Sequence, residues 1–256
     1  MSESVESVVD QNRAYWERLV AHRPGQPAAF FLDGGSAVTE QELIAVGDVR
    51  GRRVLHLACS TGDESITFAQ HGADVTGVDI APSHLATARS KAAAVGVSVT
   101  FLEQDMMVLD PALTGFDLIY ISWGGLCWVP DVNDWTRLVA SRLRPGGMPA
   151  ISEHHPLWEV LSVAGEGATA VSSDYFGHGR DRYTDPSKAP SVTQLIGGGD
   201  LPHRSYVWGL GAVVTAVLSA GLTVRSLQEF PDAEMYAGLG RTATYLPATY
   251  LLTTTR

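Results

Sequence analysis

Residues 53–80 read RVLHLACSTGDESITFAQHGADVTGVDI. Val54, Leu55 and Leu57 begin a short apolar run of the kind that forms buried parallel strands. Ala58-Cys59-Ser60-Thr61-Gly62 follows, a turn of small side chains where the backbone can bend sharply and come close to a ligand. Asp63-Glu64-Ser65 opens a helix, with acids in the first turn where the helix dipole favours them. Val75, Gly77 and Val78 lead into Asp79, a carboxylate at the C-terminal end of the second strand. In open α/β sheets that edge holds ligands. A carboxylate there suits a ribose, because it can accept hydrogen bonds from both hydroxyls.

A dinucleotide would want G-x-G-x-x-G in this turn. The turn instead offers Ala58, Ser60 and Gly62, and Asp63 and Glu64 would repel a pyrophosphate. An uncharged or cationic nucleoside fits better. With Gly62 and Asp79 in place, the stretch resembles the first two motifs of class I S-adenosylmethionine (SAM) methyltransferases. The usual first motif reads roughly V-L-D-x-G-C-G-x-G. Here His56 stands for the acid, Ala58 for the first glycine and Ser60 for the second. The VLHLxC form is similar to a bacterial branch of small-molecule, specialised-metabolite methyltransferases.

The resemblance implies an α/β fold: a Rossmann-like, seven-stranded, mostly parallel sheet with a C-terminal antiparallel strand and helices on both faces. It implies a single methyltransferase domain over residues 1–256. Within it, 1–50 would be an N-terminal helical lid and 51–156 the SAM-binding core. Residues 157–205 would be an insertion over the acceptor pocket, and 206–256 a C-terminal helix and strand pair. The resemblance runs motif by motif over about residues 50–155 and only by pattern beyond.

Composition is consistent with one large domain of 256 residues, 45% of them hydrophobic. Lys plus Arg is 18 against Asp plus Glu of 28, a net charge of −10. That balance opposes docking on nucleic acid or an anionic membrane, and leaves a neutral or cationic small ligand open. No charge-free window is long enough to span a bilayer, and no basic, then apolar, leader is expected. Cys59 and Cys127 are the only cysteines. They imply a reducing, cytoplasmic setting rather than a disulfide framework, and no metal site is expected. A homodimer stays open.

Along the chain, residues 8–20 predict an amphipathic helix carrying Tyr15 and Trp16, either core anchors or, as in many members of the family, a lid over the cofactor. Thr39 and Glu42 have the spacing of a capping box. Pro82 starts a helix that Gly96 ends, and residues 97–102 alternate as a strand. Gln104-Asp105-Met106 follows, and Asp105 matches the family's acid facing the adenine amino group. Residues 116–121 are the fourth strand, with Ser122 and Trp123 at the switch-point edge. Trp128 reads as a core anchor. Residues 131–143 predict a helix, Arg144-Pro145-Gly146-Gly147 a turn, and residues 148–152 the fifth strand. Residues 211–220 predict the last helix, and 222–230 and 243–253 two final strands.

The cofactor contacts implied by the resemblance are Tyr15, Trp16, Ala58, Cys59, Ser60, Gly62, Asp63, Asp79, Ile80, Gln104, Asp105, Met106, Ser122 and Trp123. Glu153-His154-His155 ends the fifth strand at the ligand edge, either as turn structure or as catalytic groups. If the acceptor is a hydroxyl or an ammonium, His154 or His155 would take its proton, with Glu153 orienting one of them. Trp123, Tyr175, Tyr206 and Tyr236 are the expected acceptor contacts. The leading reading is methyl transfer from SAM to a carbon, oxygen or nitrogen atom of a small molecule. A SAM-fold protein without transfer, such as a cyclase or binder, and an NAD-dependent reductase are the rivals.

Overall fold

The computed structural model describes residues 5–163, 169–171, 174–176 and 203–256. Its centre is a seven-stranded sheet built from β1 (Arg53–Leu57), β2 (Asp74–Asp79), β3 (Val99–Glu103), β4 (Phe116–Ser122), β5 (Leu143–His154), β8 (Thr223–Phe230) and β9 (Thr249–Thr255). The spatial order is β3-β2-β1-β4-β5-β9-β8, and the first five strands run parallel. β9 runs antiparallel to both β5 and β8. The order reverses between β1 and β4, so the C-terminal ends of β2, β1 and β4 form the switch-point crevice.

Both faces of the sheet are covered, which is why the central strands β1 and β4 are mostly apolar. Leu118 and Tyr120 of β4 pack with Val54, Phe68 and the Val38–Val49 segment around α3 (Glu40–Val46). Ile119 and Ile121 point the other way. They join Trp135 and Val139 of α6 (Val132–Arg142) and Val213 and Val217 of the last helix, α8 (Leu210–Ser219). Burying side chains of this size contributes roughly 1.5–3 kcal/mol each. α2 (Ala28–Leu32), α4 (Asp63–Gln70) and α5 (Pro82–Val95) close the β3 side around Phe31, Ile66, Leu85 and Phe101. α1 (Val5–Leu19) makes contacts with α5. After β5, α7 (Pro156–Val160) leads into a small hairpin of β6 (Leu161–Val163) and β7 (Thr169–Val171). Most of the expected 157–205 insertion, including His178 and Tyr183, lies outside the described residues. Among those described, no helix is long and apolar enough to cross a membrane.

The capping box forms as the spacing predicts. Thr39 accepts from the Glu42 N–H and the Glu42 carboxylate accepts from the Thr39 N–H. Gly96 ends α5 in the left-handed region. Two boundaries differ from expectation. The Arg144–Gly147 turn lies inside β5, because Gly146 N–H donates to Arg256 O (3.0 Å) and Arg256 N–H to Gly147 O (2.9 Å). The final strand starts only at Thr249, since Ala237–Tyr245 winds as 3-10 structure with a break at Gly240. Tertiary packing around Ala243 and Ala248 overrides the local strand pattern there.

Candidate active site

The turn after β1 is the most strained backbone on the sheet edge. Ala58 (φ 53°), Ser60 (φ 48°) and Gly62 (φ 80°) all lie at positive φ. Among the described residues the only other non-glycine at positive φ is Trp123 (φ 39°), at the end of β4. A side chain held there costs about 1–2 kcal/mol, and such strain collects at ligand sites. Hydrogen bonds hold the turn in this shape: Cys59 N–H to Val78 O (3.0 Å), Gly62 N–H to Cys59 O (2.8 Å) and Ser60 N–H to Asp79 Oδ2 (2.8 Å). Gly62 has no substitute, because an added Cβ would lie 2.8 Å from Phe101 and 2.9 Å from Ala88.

Ser60, standing where the resembled motif has glycine, has a local reason. Its hydroxyl lies 2.9 Å from His84 Nδ1, and His84 Nε2 lies 3.1 Å from the Trp16 carbonyl. A carbonyl only accepts, so Nε2 carries the proton and Nδ1 accepts from Ser60. Burial holds the His84 pKa below the usual histidine range, with Asp79 pulling the other way. One chain of bonds thus joins Asp79, the turn, α5 and α1.

Asp79 accepts from Ser60 N–H on one oxygen and from Ala81 N–H on the other (2.9 Å). Burial raises its carboxyl above the ordinary range, while these N–H groups and His84 oppose the rise. Each oxygen keeps a lone pair, so the half-buried group still suits a diol. Ile80 is held through its carbonyl by Arg13 Nε (3.2 Å). Gln104 and Asp105 are partly spent on their own loop, accepting from Asp110 N–H (3.0 Å) and Met107 N–H (2.8 Å). Three expected cofactor contacts are corrected. The side chains of Met106 and Cys59 point into the core, among Leu57 and Val78 and among Ile66 and Leu85 respectively, which leaves only their main chains at the edge. Asp63 is ion-paired to Lys91 and accepts from Gln26 N–H (2.6 Å), and Lys91 also donates to Pro24 O (3.1 Å). Asp63 therefore clips the Pro24–Gln26 strap onto α4 and α5.

Across β1, the Ser122 hydroxyl donates to Glu64 Oε1 (3.0 Å). Burial pushes the Glu64 carboxyl up to about 7. His56 bonds Ser65 Oγ through Nδ1 (2.8 Å), and its complete burial lowers its pKa to about 3. Its ring stands edge-on to Tyr120, whose hydroxyl donates to Glu42 (2.7 Å).

At the end of β5 the three titratable residues divide. Glu153 accepts from the N–H groups of Gly124, His154 (2.8 Å) and Leu126 (2.7 Å). It shapes the loop after β4 as a positioning residue, and its Oε1 also lies 3.7 Å from His154 Nδ1. His155 caps α7, Nδ1 accepting from Leu157 N–H (3.0 Å), and its Nε2 lies 2.9 Å from Glu229 Oε1. Both ring nitrogens are committed to structure, which withdraws it as a base. His154 stands between Trp123 (5.8 Å) and Trp158 (4.8 Å). It lines a small cavity with Leu126, Cys127, Pro156, Tyr206 and Trp208. Of the expected acceptor contacts, Tyr206 is on that wall and exposed Trp123 lies against His154. Tyr175 packs instead on Phe176 and Gly209. Tyr236 is corrected: it is buried with Trp158, Ala243 and Ala248, and its hydroxyl donates to Pro247 O (3.0 Å).

α1 lies across the β2–α5 end of the crevice. Glu17 accepts from the N–H (3.0 Å) and hydroxyl (2.7 Å) of Ser83 in the first turn of α5. Asn12 exchanges two bonds with the Arg204 main chain (3.0 and 2.8 Å). Tyr15 is buried against Trp16, Trp128 and His203, a core anchor more than an open wall. Trp16 carries the Arg23 guanidinium 5.6 Å above its ring. Sequence reasoning missed His84, Glu17, Glu64 and Arg23. The signals were the serine in a glycine's place, which needs a partner, and the acid missing at position 56.

Residues 54–147 match the methyltransferase domain family. The chain is 38% identical over 107 residues to a ubiquinone biosynthesis O-methyltransferase of Bordetella avium, covering 42% of this chain and 44% of that one. It is 36% identical over 110 residues to a demethylmenaquinone methyltransferase of Thermus thermophilus, covering 41% and 48%. The chain thus spans about half the length of the curated relatives it matches. A SAM-dependent methyltransferase structure from Mesorhizobium loti superposes with a TM-score of 0.65 at 26% identity, covering 88% of this chain and all of that one. The fold, though not more, is shared with a magnesium protoporphyrin IX methyltransferase of Synechocystis solved with S-adenosylhomocysteine (TM-score 0.54, 19% identity, covering 95% and 93%). Residues 54–147 thus carry a methyltransferase domain match, and the sheet around them is that of solved SAM-dependent methyltransferases.

Proposed function

We propose that this protein transfers a methyl group from SAM to a small-molecule acceptor held beside His154. The observation that carries the reading is the strained Ala58–Gly62 turn bonded to Asp79 at the switch point. That pairing leaves one carboxylate lone pair per oxygen for a ribose and a small-residue bend for the rest of the ligand. SAM, when bound, supplies an activated methyl on a sulfonium for in-line displacement. The chain's own part is to orient the acceptor and exclude water. Trp123, exposed at the edge, offers a face to a cation with less ground-state penalty than an anion would impose. His154 stands on the cavity wall between Trp123 and Trp158, at the place the acceptor would occupy, so it is the base where the acceptor needs one.

Relatives named for ubiquinone biosynthesis and for demethylmenaquinone support a small-molecule acceptor. The net charge of −10 argues against nucleic acid. α1, latched through Glu17 and His84, is the lid. Calorimetric titration with S-adenosylhomocysteine and with NAD tests the cofactor, expecting heat from the first alone. Binding of NAD alone would end the reading. Incubation of a metabolite extract with methyl-labelled SAM then tests transfer. A protein that binds the cofactor and labels nothing would be a SAM-fold binder.

A further inference from the structure

Two charged groups of the crevice have no part in the scheme above, Glu64 and Arg23. Glu64 lies in the first turn of α4, on the opposite side of β1 from Asp79, and accepts a hydrogen bond from the Ser122 hydroxyl at the end of β4 (3.0 Å). A ligand whose ribose sits at Asp79 and whose body crosses the turn brings its far end to this place. In SAM that end is an α-amino acid, with an ammonium and a carboxylate. The acid that the resembled motif carries on the first strand is absent, and His56 in its position is buried with Nδ1 bonded to Ser65. A neutral imidazole there cannot balance a cation. The His56–Ser65 bond ties the first turn of α4 to β1, and so fixes the backbone of the residue before Ser65, which is Glu64.

Arg23 supplies the opposite charge. Its guanidinium lies 5.6 Å over the Trp16 ring, and Trp16 stands edge-on to His84, which bonds Ser60 in the turn that leads into Glu64. A carboxylate and a guanidinium in one cleft match a zwitterion, the guanidinium as a planar donor fork for the carboxylate. We infer that Glu64 and Arg23 grip the amino-acid end of the cofactor, Glu64 taking the ammonium and Arg23 the carboxylate. The acid missing from β1 has in effect moved onto α4. This rests on the SAM reading, and it makes Glu64 a ligand group rather than a plain partner of Ser122.

The test compares S-adenosylhomocysteine with 5′-methylthioadenosine, which keeps the nucleoside and lacks the amino-acid end. Calorimetry on the wild type, Glu64→Gln and Arg23→Met reads both affinities. Glutamine keeps an acceptor for Ser122, and thermal unfolding verifies that each variant is folded. The expected result is a wild type that prefers S-adenosylhomocysteine, and variants that each lose about tenfold or more toward it, the scale of one charged hydrogen bond. Both should hold 5′-methylthioadenosine within about twofold. Unchanged S-adenosylhomocysteine binding in the variants would overturn the inference. So would equal losses toward both ligands, or a wild type that does not distinguish them. A wild type that binds neither would instead overturn the SAM reading itself.

Discussion

The turn after β1 and the end of β5 lie on the same sheet edge, and both are rich in polar residues. In the turn, the strained backbone is organised so that Asp79 keeps accepting capacity and Ser60 is answered by His84. At the end of β5, two of three titratable side chains are consumed by the fold. Glu153 satisfies three N–H groups and His155 has a partner on each ring nitrogen. Position at a ligand edge therefore nominates a residue for chemistry, and its hydrogen-bond partners show how much of it the fold has already used.

The largest expected effect breaks this contrast at Glu153. Replacing it by Ala leaves three loop N–H groups without their acceptor, and each charge-assisted bond of this kind is worth about 1.5–3 kcal/mol. Urea unfolding should show a loss of about 4 kcal/mol, since the loop relaxes only in part. A variant as stable as wild type but slow in turnover would return Glu153 to the chemistry.

Next comes Glu64, with the opposite sign. Its carboxyl rises from 4.5 to about 7 on folding. The folded protein keeps a proton that the unfolded chain gives up between those values. Stability therefore falls as pH rises through this window, by about 3 kcal/mol in all. Glu64→Gln removes the dependence. Without ligand it should be more stable than wild type at pH 8, by up to about 3 kcal/mol, and no more stable at pH 4. Equal stability at both pH values would show that Glu64 is not held in this state. His155→Ala follows, with a loss of about 1–2 kcal/mol from the α7 cap and the Glu229 contact. The pH profile of methyl transfer should be unchanged in this variant and altered in His154→Ala.

Much of the scaffold was legible because its signals are local. The apolar run of β1, the Thr39–Glu42 box, Pro82 and Gly96 around α5, and the acid at Asp79 each dictate a structure from neighbouring residues alone. What was hidden depends on partners far along the chain. Nothing near Asp63 announces Lys91, and nothing near His155 announces Glu229. Tyr236 reads as a loop aromatic until Trp158 and Ala248 enclose it. Residues 243–245 suit a strand, yet packing draws them into the 3-10 segment Ala237–Tyr245. His84 is the instructive omission. It sat in plain view on α5, yet its role exists only because Ser60 and Trp16 converge on it.

The smallest effect tests that convergence. At Ser60 two terms oppose each other: a side chain at φ 48° is strained, and its hydroxyl holds His84 Nδ1. Ser60→Ala keeps the strain and loses the bond, leaving a buried nitrogen without its donor, so unfolding should register a loss of about 1–2 kcal/mol. Ser60→Gly loses the same bond and relieves the strain, and since relief is worth about 1 kcal/mol it should lie close to wild type. The two variants separate what stability alone confounds. If the chain from Ser60 through His84 to the Trp16 carbonyl latches α1, both should speed hydrogen exchange in α1 alike, although only one is destabilised. Exchange that tracks global stability instead, faster in the alanine variant alone, would mean that the serine serves the turn and not the helix above it.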